Sequence, residues 1–112
     1  MEGCIFCKIV SGEIPSDSVY EDEHVLAFKD LSPQAPTHVL VIPKEHVESL
    51  GAFEESHRDL AGHVLLAVPK VAETLGITQF RTVANTGADA GQSVFHLHLH
   101  ILAGRPLSWP PG

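Results

Sequence analysis

The chain has 112 residues, 44% of them hydrophobic, with a mean hydropathy of +0.10 and a formal net charge of −7. That size and composition suit one core-bearing domain and exclude a disordered chain; the acidic balance excludes a duplex nucleic-acid binder, which needs a basic face. No apolar run reaches membrane-span length and Met1-Glu2-Gly3-Cys4 lacks a signal-peptide pattern, so a cytoplasmic protein with no membrane partner is expected.

In chain order, residues 4–14 read as a short helix ending near Gly12, with Cys4 and Cys7 one turn apart on a shared face. Val19 to Phe28 carries strand formers interrupted by Glu21-Asp22-Glu23-His24, which predicts a hairpin. Two prolines in Ser32-Pro33-Gln34-Ala35-Pro36 mark an irregular connection. His38 to Pro43 is apolar on both faces, the pattern of a central strand. Leu60, Val64, Ala67, Val68, Val71 and Leu75 recur at three and four residues, predicting a main helix over 54–75 stopped by Gly76. Pro69 lies inside it, so a kink or a break near Val68 is expected. Further strands are predicted over 79–85 and 96–102, and residues 103–112 form a tail without regular period. The order is α+β: an antiparallel sheet of about five strands, one main helix and a short N-terminal helix, in a single domain over 1–112.

The chemistry concentrates in His96-Leu97-His98-Leu99-His100-Ile101-Leu102. A strand here puts three imidazoles on one face and Leu97, Leu99 and Ile101 on the other. Alternate strand residues are about 6.7 Å apart, so His96 and His100 are separated by about 13 Å. All three cannot share one metal at about 2.1 Å from each ring nitrogen; two could, with an outside ligand. The other option is covalent: one imidazole attacks phosphorus while its neighbours orient it. Upstream, the small-residue loop from Asn85 to Ser93 can bring backbone N–H groups close to an anion. His24, His57 and His63 belong to no motif and are expected on the surface or on a helix face.

These motifs resemble the histidine-triad (HIT) family, and the resemblance extends beyond the triad. Phe28 to His38, Asn85-Thr86-Gly87, Gly91-Gln92-Ser93-Val94-Phe95 and the Trp109-Pro110-Pro111-Gly112 ending are similar to the Hint-like branch. That resemblance implies a purine nucleotide phosphoramidase cleaving adenosine 5′-phosphoramidates through a nucleotidyl-histidine, with no cofactor needed for catalysis. It implies His98 as nucleophile, with His100 and His38 contacting phosphate or moving protons and Ser93 near the leaving group. Asp30 is similar to a ribose ligand, and Phe6, Ile9, Ile14, Phe28 and Leu31 to a base pocket. Asn85 is expected at phosphate or ribose, beside the backbone of Gly91, Gln92, Ser93 and Val94. Two other readings stay open: a nucleotide-binding or scaffolding module with incidental hydrolysis, and a dinucleotide-polyphosphate hydrolase of the same family.

One departure from the Hint pattern is Cys4-Ile5-Phe6-Cys7. In other HIT proteins and related uridylyltransferases, two such cysteines join two histidines around a structural zinc, which here implies Cys4, Cys7, His46 and His96 as ligands. His96 would then not be free for acid–base work. A homodimer is also expected. The sheet edges need covering, and a ten-residue tail reaches about 30 Å; the resemblance implies a sheet continued across the dimer and a tail placing Trp109 near the partner's site.

Overall fold

The computed structural model describes residues 2–112. Five strands form one antiparallel sheet: β1 (Ser18–Glu21), β2 (Val25–Lys29), β3 (Thr37–Pro43), β4 (Arg81–Val83) and β5 (Leu99–Ala103). Their spatial order is β1-β2-β3-β5-β4. Two α-helices, α1 (Ile5–Val10) and α2 (Arg58–Leu75), complete the α+β fold. In the β1–β2 turn, Asp22 Oδ1 accepts from the backbone N–H groups of His24 and Val25 at 2.8 and 2.9 Å, which fixes the hairpin that its acidic turn predicts.

Strand alternation divides the core between the two sheet faces. Val25, Ala27, Val39 and Val41 point to one face, where they meet Leu97, Leu99 and Ile101 and the α2 stripe of Val64, Ala67, Val68 and Val71. Leu26, Phe28, Leu40 and Ile42 point to the other and pack beneath Phe6 of α1. The central β3 is therefore apolar on both sides because each face has its own helix. His98 and His100 follow the same alternation and fall on the α1 face, while their aliphatic neighbours on β5 support the opposite core.

Several boundaries differ from expectation. The main helix starts at Arg58, not at 54, because residues 55–57 form a tighter 3₁₀ turn in which the Glu54 N–H donates to His57 Nδ1 at 2.9 Å. It continues through Pro69 as a single helix. Pro69 is exposed, and so is Leu65, whose carbonyl loses its partner, leaving that carbonyl within reach of solvent. Gly76 ends it as predicted, at φ 71°, a left-handed conformation that glycine adopts without a Cβ penalty. α1 stops at Val10, and the 79–85 strand shortens to Arg81–Val83. The 96–102 strand begins only at Leu99. Its ladder with β3 runs from Thr37↔Ala103 to Val41↔Leu99 and would next need an N–H from Pro43, which has none. Leu97 N–H instead donates to the Val47 carbonyl at 2.6 Å.

Candidate active site and metal centre

A cleft of about 480 Å³ opens on the α1 face of the sheet. Phe6, Ile9 and Ile14 form one wall; Phe28, Asp30 and Leu31 form another, at the end of β2 and just beyond it. His38 of β3 and His98 and His100 of the last strand segment line its floor, with Ser93 and Val94 at the rim. Ile5, Gln34 and Leu40 also line it; Ile5 and Gln34 lie inside recognised motifs and Leu40 on the central strand, but residue type alone does not single them out. Phe6 meets Phe28 edge-on at 5.5 Å and His98 edge-on at 5.2 Å, so the helix holds an apolar wall directly against the central imidazole.

Hydrogen bonds fix where each imidazole carries its proton. The His98 Nδ1–H donates to the His96 carbonyl at 2.8 Å, and a carbonyl can only accept, so the free lone pair of His98 is on Nε2. The Gln34 backbone N–H donates to His38 Nδ1 at 3.0 Å, which leaves the His38 proton on Nε2. That Nε2–H is 2.9 Å from His100 Nδ1, which therefore accepts, and the His100 proton sits on Nε2. The site thus holds one imidazole with a free Nε2 lone pair beside a second with an Nε2–H. Burial, then the neighbouring His98 and His38, push the pKa of His100 below the ordinary imidazole value, with Asp30 opposing.

His96 is built differently. It is fully buried, its Nε2–H donates to the Pro43 carbonyl at 2.8 Å, and its Nδ1 lone pair points away from the cleft. That Nδ1 lies 3.3 Å from Cys4 Sγ, 3.5 Å from Cys7 Sγ and 3.2 Å from His46 Nδ1. Four donor atoms converge from three separate stretches of chain, the start of α1, His46 and His96, and all lie within 4.8 Å of one another. Two thiols and two imidazoles are the donor set of a closed tetrahedral zinc site, and the carbonyl behind His96 orients its ring as an outer partner should. Burial, then the adjacent Cys4, push the Cys7 thiol up, a repulsion that a divalent cation would relieve.

Asp30, His38 and His100 form a second close cluster, but its chemistry is that of a relay. A metal on His38 Nε2 would displace a proton that cannot move to Nδ1, because the Gln34 N–H already occupies that lone pair.

Four expected site residues lie outside the cleft wall. Asn85 and Gly91 adjoin each other in the loop before Ser93, where Gly91 takes φ 106° and a methyl on it would lie 3.5 Å from Asn85 Nδ2. Gln92 is buried, and its amide is spent on bracing the loop and tying it to Glu48. Oε1 accepts from Gly87 N–H at 2.8 Å, and Nε2 donates to the Glu48 and Val94 carbonyls at 2.8 and 3.1 Å. Trp109 is 79% exposed on the β4 side of the molecule, 5.9 Å from the Arg81 guanidinium. Outside both sites, His24 and His63 stack at 3.8 Å.

The sequence matches the HIT domain family over residues 11–107. An uncharacterized HIT-like protein of Synechocystis is 58% identical over 112 residues, covering 99% of this chain and 98% of its own. A 14 kDa zinc-binding protein of Zea mays is 49% identical, covering 96% of this chain and 87% of its own. Among solved structures, a HIT family hydrolase from Legionella pneumophila superposes with a TM-score of 0.94 at 44% identity, covering 98% of this chain and all of that one.

Proposed function

The chain belongs to the HIT family and is hydrolase-like, and from that premise we propose that it is a phosphoramidase acting on purine nucleoside 5′-phosphoramidates. The observation that carries this reading is the His98 Nδ1–H to His96 carbonyl bond, which leaves a buried, oriented Nε2 lone pair facing a nucleotide-sized cleft. His98 Nε2 attacks phosphorus, and the P–N bond breaks with its electron pair leaving on nitrogen, which takes a proton and departs as the amine. Water then attacks the same phosphorus and gives up a proton. The His98–phosphorus bond breaks back to the Nε2 lone pair, and the nucleoside monophosphate is released. His100 Nε2–H faces the same cleft and is suited to donate to a phosphate oxygen or the departing amine.

The apolar wall of Phe6, Ile9, Ile14, Phe28 and Leu31 suits a purine base, and the Asp30 carboxylate suits the two ribose hydroxyls. Ser93 at the rim would hydrogen-bond near the leaving group, and Asn85, with the Gly91–Val94 backbone, would steady the phosphate side. Cys4, Cys7, His46 and His96 would hold a zinc that ties α1, and so the base wall, to the sheet. Assay of His98→Ala against an adenosine 5′-phosphoramidate tests the reading: turnover should vanish while the variant stays folded and binds AMP. A variant retaining most of the wild-type rate would exclude His98 as the nucleophile.

A further inference from the structure

We propose that Asp30 is a positioning residue through which the sugar of the substrate sets the His38–His100 relay, so that ribose recognition governs the rate of the chemical step as well as binding. This rests on the phosphoramidase reading. Its basis is a shared proton: His38 Nδ1 accepts from Gln34, so the ring has a single N–H, on Nε2. Two acceptors compete for it, His100 Nδ1 at 2.9 Å and Asp30 Oδ2 at 3.4 Å. The other Asp30 oxygen is occupied, since Oδ1 accepts from the Ser32 N–H at 2.7 Å. The residues are also tied through the backbone, with the Asp30 N–H donating to the His38 carbonyl at 3.0 Å.

A carboxylate is the stronger acceptor, so Oδ2, though farther at 3.4 Å against 2.9 Å, takes a share of the His38 N–H from His100 whenever its own charge is unanswered. Asp30 is the more open member of the pair, its side chain 20% exposed against 4% for His38, and it lines the cleft. A cis-diol donating to this carboxylate satisfies Oδ2 and leaves the His38 N–H to His100 alone. His100 Nδ1 is then a committed acceptor and its proton stays on Nε2, toward the substrate. Without the diol the His38 N–H is shared with Oδ2, and the bond that commits His100 Nδ1 as acceptor and aims its Nε2–H into the cleft is weaker.

The test compares an adenosine 5′-phosphoramidate with its 2′,3′-dideoxy counterpart, in wild type and Asp30→Asn. In wild type the dideoxy substrate should lose about tenfold in kcat besides raising KM, the size of one hydrogen bond to a charged group. In Asp30→Asn the two substrates should share one reduced kcat. A wild-type sugar effect confined to KM would overturn the proposal, as would a kcat gap that survives in Asp30→Asn. The wild-type comparison needs no variant to fold, and ¹⁵N NMR of the His100 ring supplies a readout independent of turnover. AMP should shift the His100 Nδ1 resonance further toward that of a strongly hydrogen-bonded acceptor than 2′,3′-dideoxy-AMP does; identical spectra with both would refute the coupling. Absence of turnover with either sugar would count against the phosphoramidase reading, and the NMR comparison would then decide the coupling alone.

Discussion

At the residue scale, three histidines that the sequence spaces evenly do three different jobs, and the difference lies in what each ring donates to. His98 donates to a carbonyl and exposes a lone pair to the cleft; His100 accepts from His38 and exposes an N–H; His96 donates to Pro43 and turns its lone pair to the cysteines. Alternation made the shared face legible, and the CxxC motif made the departure of His96 legible. The relay and the carbonyl partners were not, because they depend on backbone atoms of residues 34, 43 and 96, whose chemistry is the same in any sequence. The role of the Gln92 side chain was not legible for a related reason: it braces the loop from within, through Gly87 N–H and Val94 O, and ties it to the Glu48 carbonyl. The pH dependence of stability belongs at this scale. The pKa of His100 is lowered from 6.5 in the fold, mainly by burial. Below about pH 6.5 the unfolded chain therefore binds more protons than the folded one, and stability falls as pH falls. The urea midpoint should be flat from about pH 8 to 7 and drop by about pH 5.5. His100→Asn should reduce that slope, and an unchanged slope would show that the ring is not held neutral by the fold.

At the element scale, α1 is six residues long, too short to be stable alone. It is anchored by Phe6, packed against Phe28, and by the two cysteines at its start, of which Cys4 is also the helix N-cap, its sulfur accepting from Cys7 N–H. Because Phe6 and Ile9 also wall the cleft, the proposed zinc would couple helix anchorage to the binding of the base. Protein purified without added metal should contain about one zinc per chain. Stripping it with a strong chelator should free both thiols, lower Tm and raise KM for the nucleotide more than it lowers kcat. Native protein with no zinc and both thiols titratable would remove the metal centre. The late start of β5, at Leu99, explains why α1 reaches His96 at all: once the β3 ladder stops at Pro43, the chain at residues 96–98 is free to follow Val47 and the cysteines.

For the whole molecule, the sheet ends at β1 and at the three-residue β4, and neither edge pairs with a further strand among the described residues. Leu65 and Leu66 on α2 are each more than 60% exposed, and Trp109 stands out from the tail. Arg81 of β4 donates to the Ser108 and Leu107 carbonyls at 2.9 and 3.3 Å, so the base of the tail runs along the β4 edge of its own subunit. We propose a two-fold dimer that joins the sheets through β4 and brings each tail to the partner's cleft. Light scattering at micromolar concentration should give twice the 12.1 kDa chain mass. Removing residues 105–112 should change kcat/KM among amine leaving groups while His98 stays reactive. A monomer would overturn the dimer and the shared role of Trp109. The fold class was legible from periodicity because each strand face and the α2 stripe alternate cleanly, whereas tail placement depends on two arginines reaching backbone carbonyls, Arg81 to Leu107 and Ser108 and Arg105 to Gln34.

Covalent transfer of the nucleotide to His98 can be observed by acid-quenching turnover and examining the peptides by mass spectrometry. Quenching wild-type protein during steady-state hydrolysis of an adenosine 5′-phosphoramidate should show one nucleotidyl group, located on the His98 peptide and absent from His98→Ala. Full turnover with no adduct at any quench time, or an adduct on a different residue, would contradict the account.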